Sequence, residues 1–82
     1  MLRIYGIPVP IADVLSLIDM LEASAHPDAS EAAAVITSGV ERGMDVGLTR
    51  EARAAILSVL DNAPQGLAEL RARLLRDDDA AR

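Results

Sequence analysis

The sequence predicts a mainly α-helical, small single domain whose elements run β-α-α-β-α-α, with two short strands that pair. Three observations predict it. Four segments carry apolar residues at helical spacing, and two short segments alternate apolar with polar residues. Aromatic residues make up 1% of the 82, with Tyr5 alone, so the core must be built from Leu, Ile, Val, Met and Ala, which favours packed helices. A chain of this length makes one domain and buries roughly 60–65% of the surface it would expose unfolded.

The elements follow in order. Leu2 to Ile7 reads as a strand, because Leu2 and Ile4 alternate with Arg3 and Tyr5. Pro8-Val9-Pro10 ends it, since proline cannot donate to a ladder and its fixed φ suits a helix start. Helix 1 runs from about Pro10 to Leu21, with Ile11, Val14, Leu15, Ile18 and Leu21 on one apolar stripe that Leu17 widens. This makes helix 1 the most buried element expected. Ala23 to Pro27 connects it to helix 2. There Asp28 is placed to cap and Glu31 to reach back to the cap.

The apolar face of helix 2 is Ala29, Ala32, Ala33, Ile36 and Val40, and with Gly39 beside it another helix can approach closely. Arg42-Gly43 reads as its stop, with a cation in the last turn and glycine in the left-handed position. Met44, Val46 and Leu48 alternate as a second strand, and Thr49 caps a helix 3 from Arg50 to about Asn62. Asn62 to Gly66 is a turn. Helix 4 spans Leu67 to Arg76. Leu67, Leu70 and Leu74 form its seam, Leu75 flanks it, and Glu69 and Arg73 pair at i,i+4. The expected domain is therefore residues 1–76. Asp77-Asp78-Asp79 opposes the helix dipole, so 77–82 reads as an acidic flexible tail.

The halves also look alike: Val14 to Asp19 matches Ile56 to Asp61 in residue type, position by position. Either an internal duplication or the common likeness of leucine-rich helices produces such a match.

Composition narrows the function. Without cysteine there are no disulfides, thiol chemistry or usual structural zinc sites, and the expected compartment is the cytoplasm. The N-terminal residues lack the order of a signal peptide, and the apolar stretch from Ile7 to Leu21 is broken by Pro8, Pro10, Asp13 and Asp19, so no membrane span is expected. A net charge of −5 disfavours non-specific nucleic-acid binding. All eight bases are arginine, which with the abundant alanine reads as the composition of a GC-rich genome.

From about Ala25 onward, Leu48-Thr49, Arg53-Ala54-Ala55-Ile56-Leu57, Pro64 and Leu67-Ala68-Glu69-Leu70-Arg71 resemble a group of small uncharacterised actinobacterial proteins. The resemblance covers about half the chain. It implies a fold and supplies no chemistry. The order of Leu2–Ile7, Pro8, helix 1 and the Asp28-initiated helix 2 also resembles ribbon-helix-helix proteins, including antitoxins of that class. That resemblance implies an intermolecular β-ribbon in the major groove of DNA, with Arg3 and Tyr5 as the readers. Only Arg3 is basic in the strand, and Asp45 would stand in a reader position of a second unit.

Candidate sites are few. His26, the sole histidine, reads as an exposed loop residue, and the three consecutive aspartates as a solubilising run. No nucleotide-binding loop, zinc-protease helix or nucleophile elbow is present. The expected protein is thus not an enzyme and uses no cofactor, metal or small-molecule substrate. It reads as a regulatory or interaction protein that self-associates or docks a protein partner through Leu67, Leu70, Leu74 and Leu75.

Overall fold

The computed structural model describes residues 2–60 and 65–80. Strands β1 (Leu2–Ile4) and β2 (Ile7–Val9) open the chain, followed by α1 (Ile11–Ala23), α2 (Ala29–Arg42), α3 (Arg50–Val59), a 3-10 turn (Gln65–Leu67) and α4 (Ala68–Ala80). Helices α1, α2 and α3 pack on one another, while α4 lies on α3 and β2. The mainly helical single domain expected from the sequence is the one observed.

The first β segment departs from expectation in detail. Leu2 to Ile7 is not one strand but the start of an antiparallel hairpin, with Leu2 opposite Val9, Arg3 opposite Pro8 and Ile4 opposite Ile7. Tyr5 and Gly6 make its two-residue turn, both at positive φ (54° and 80°). That is the type I′ geometry, whose twist matches the flanking strands. Asparagine or glycine normally occupies the first position of such a turn, so Tyr5-Gly6 carries a weak sequence signal. A tyrosine held there costs about 1–2 kcal/mol of backbone strain. Period-two alternation survives in both strands: Leu2, Ile4, Ile7 and Val9 are buried.

The second β segment shrinks to one residue. Val46 forms a parallel bridge to Ile4. The Tyr5 N–H donates to the Val46 carbonyl at 2.9 Å, and the Val46 N–H donates to the Arg3 carbonyl at 2.8 Å. Strand β1 is therefore paired on both sides. Gly39 on α2 permits this, because a Cβ at that position would run into the Val46 side chain. The close approach that glycine allows is used by the bridge segment and not by another helix.

Because the Arg3 carbonyl turns toward Val46, its partner Pro8 points its nitrogen at the free edge of β2. Proline offers no N–H there, which blunts the edge against a further strand.

Local signals account for most helix ends. Pro10 precedes α1, and its carbonyl accepts from the N–H groups of Asp13 and Val14, each at 3.0 Å. Thr49 caps α3 as expected, its hydroxyl accepting the Ala52 N–H at 3.1 Å. Gly43 ends α2 at φ 64°, ψ 29°, and the Met44 N–H returns to the Gly39 carbonyl at 3.2 Å.

The start of α2 differs. Asp28 occupies the cap position but makes no side-chain cap bond. Instead His26 Nδ1 accepts the Asp28 N–H at 3.1 Å, and Ser24 Oγ accepts the His26 N–H at 3.1 Å. His26 is accordingly half-buried and structural, not a fully exposed loop residue.

One buried face and one helix boundary also differ. The buried face of α1 is Val14, Leu17, Ile18 and Leu21, which turns Ile11 and Leu15 outward. Helix α4 continues past Arg76 to Ala80, so Asp77 is a helix residue and not the start of a tail. The part of the expected turn at 62–64, the expected end of helix 3 at 61–62, and residues 81–82 lie outside the described residues.

Candidate functional site

The leucine seam of α4 is consumed by the domain itself. Leu67 and Leu70 are 0% exposed and Leu74 is 1% exposed, all within one hydrophobic core with Ile4, Leu17, Ile36, Ile56 and Leu60. As placed, these three residues are unavailable as a docking surface. The physical reason is that α3 and β2 offer them apolar cover that the sequence pattern alone does not reveal. Only Leu75, on the flank, faces out, at 39% exposure.

The residues expected to read DNA are also separated. Arg3 is exposed on β1, and Tyr5 sits in the hairpin turn, its side chain half-buried against α3 and α4. A ribbon-helix-helix dimer needs a free β1 edge to pair with its partner. Here β2 occupies one edge and Val46 the other, so that geometry is absent.

What the structure does assemble is a polar cluster around Tyr5. Its hydroxyl donates to the Asp77 carboxylate and accepts from Arg53 Nη1 at 2.9 Å. The guanidinium carbons of Arg53 and Arg73 lie 5.5 and 5.6 Å from the ring centroid, within cation–π range. Arg73 Nε is 3.6 Å from Asp77 Oδ2. The hairpin turn, α3 and α4 are thus joined at one aromatic ring.

The electrostatics follow from these contacts. The Tyr5 hydrogen bond, foremost, holds the Asp77 carboxyl below the usual carboxylate range. Partial desolvation opposes that shift, and the charges of Arg73 and Arg53 reinforce it. Nothing in the spacing of the sequence marks this cluster, since its members are joined across 48 and 72 residues. The one available signal was that the sole aromatic stood beside a glycine.

Two other surface features stand out. Ile11 and Leu15, one turn apart on α1, are 42% and 52% exposed. An open groove of about 400 Å³ runs along the small-residue face of α2, past Ala33, Thr37 and Ser38, with Glu22 and Glu41 on its walls. Among the described residues, no group of three or more His, Asp or Glu side chains gathers so as to hold a metal ion. No described helix is long and apolar enough to cross a membrane. No protein-family model, curated protein or solved structure matches the chain.

Proposed function

We propose that this chain is a non-enzymatic, cytoplasmic interaction protein of regulatory type that works by binding another protein chain, in the simplest case a second copy of itself. The observation that carries the reading is the outer face of α1. Ile11 and Leu15 sit at i,i+4 on a helix whose opposite face is locked into the core, so both side chains are presented rigidly. Preorganised aliphatic groups lose little conformational freedom on binding. Burying an isoleucine or leucine completely contributes about 1.5–3 kcal/mol, so this half-covered pair has up to about 3 kcal/mol still to gain.

On this reading the contact surface is the outer face of α1 and not the α4 seam, whose leucines are buried. Light scattering over a concentration series tests it, comparing the wild-type chain with Leu15→Glu. The expected result is a concentration-dependent rise in mass for wild type that Leu15→Glu removes, with helix content unchanged. A wild type that remains monomeric at every concentration, or a Leu15→Glu variant that associates like wild type, would contradict self-association through this face.

A further inference from the structure

We propose that Tyr5, Arg53 and Arg73 form a carboxylate-recognition site which the chain's own Asp77 fills, so that an acidic segment of a partner protein binds there by displacing it. Three elements contribute the donors. The hairpin turn supplies the Tyr5 hydroxyl, α3 supplies Arg53, and α4 supplies Arg73. The Tyr5 hydroxyl makes the charge-assisted hydrogen bond to the carboxylate, Arg53 donates to that hydroxyl in turn, and Arg73 adds an ion pair at 3.6 Å.

The site is reachable, because the side chains of Arg73 and Asp77 remain 47% and 32% exposed. It also keeps a surplus of positive charge. Among the described residues, two guanidiniums face one carboxylate, in a chain whose net charge is −5. The lowered pKa of Asp77 is the response of a carboxylate to such surroundings.

Two of the three groups, Tyr5 and Arg53, are held by contacts that do not involve Asp77. Tyr5 is set by the backbone of a tight turn, at φ 54°, and its N–H is bonded to Val46. Arg53 already bonds the Tyr5 hydroxyl directly. The occupant comes from the last turns of α4, beyond the buried Leu74, so it can yield without exposing the core.

Tyr5 is the sole aromatic of the chain, so tyrosine fluorescence and near-ultraviolet circular dichroism report on this site alone. The experiment titrates wild type, Asp77→Ala and Asp77→Asn with acetyl-Asp-Asp-Asp-amide. Inorganic phosphate and chloride at matched ionic strength serve as comparisons, and the far-ultraviolet spectrum confirms the fold of each variant. A ligand competing with an internal occupant binds more weakly by the fraction of time the site is open. The peptide is therefore expected to give a saturable Tyr5 signal in Asp77→Ala at concentrations about tenfold lower than in wild type, and no signal when Arg53→Ala is added.

A response to the peptide no larger than that to chloride would overturn the proposal. So would an equal response in the Asp77→Ala, Arg53→Ala double variant. Saturation by phosphate without saturation by the peptide would overturn the assignment to carboxylates. Asp77→Asn keeps the side-chain shape and serves as the opened site if Asp77→Ala does not fold.

Discussion

Helices α1 and α4 each carry branched aliphatics on two adjoining strips, yet the domain treats them oppositely. On α4 and the 3-10 turn before it, the strip of Leu67, Leu70 and Leu74 is sealed, and Leu75 alone is left out. On α1 the strip of Val14, Leu17, Ile18 and Leu21 is sealed, and the pair Ile11 and Leu15 is left out. The difference comes from what surrounds each helix. Helix α1 packs on α2 and α3, which cover one side of it, and it carries more apolar residues than that side can take. Helix α4 meets α3 and β2, and Leu70 and Leu74, with Leu67 of the preceding 3-10 turn, are nearly all the apolar side chains it brings to them. An apolar stripe predicts that a helix is buried; the neighbours decide which residues are left over.

Substitutions in the two strips should therefore separate stability from association. The largest effect is expected for Leu70→Ala. Truncating a fully buried leucine removes its transfer energy and leaves a cavity, for a loss of about 2–5 kcal/mol in chemical denaturation. Gly39→Ala should follow, at about 1–3 kcal/mol, because its new methyl meets the Val46 side chain. Adding Val46→Ala should recover part of that loss, whereas an unchanged midpoint in Gly39→Ala would mean the bridge segment does not press on α2.

Thr49→Ala removes the one hydroxyl cap on α3 and should cost about 1 kcal/mol. Leu15→Glu should be nearly silent in stability, within about 0.5 kcal/mol, and show its effect only in the solution mass.

The Tyr5 cluster adds a dependence on pH. Asp77 is held below its unfolded pKa in the native state, so its contact contributes fully above the ordinary carboxylate range. That contribution is lost as the pH falls through the lowered native value. Tyr5→Phe removes the main cause of the shift, and carboxyl titration by NMR should then find Asp77 nearer its ordinary value. An Asp77 titration unaffected by Tyr5→Phe would show that the hydroxyl contact is not what holds it.

Much of this architecture was legible because local chemistry fixes it. The Thr49 cap, the left-handed Gly43 and the apolar spacing of α2 each appear in the structure as the residues imply. The hairpin was not legible, since Tyr5-Gly6 lacks the usual turn residues and an alternating run reads the same with or without a reversal in it. Helix α4 outran its expected end because Asp77 has a tertiary anchor, and a dipole argument considers only the helix itself. The bond from the Asp28 N–H to His26 Nδ1 is a side chain reaching the backbone two residues on, at the cap position of α2. Of the candidate site, the leucine seam was visible as a pattern and misread as a surface. The Tyr5 cluster depends wholly on contacts between distant residues, which no spacing records.

The buried leucines Leu67, Leu70 and Leu74 belong to the core of a single chain. Amide hydrogen exchange of the native protein, measured at two concentrations well apart, tests this most directly. The amides from Leu70 to Leu74 are expected to be among the slowest to exchange, with the same protection at both concentrations. Fast exchange there in the dilute protein, with protection appearing only on concentration, would contradict it and return the seam to the role of an interface.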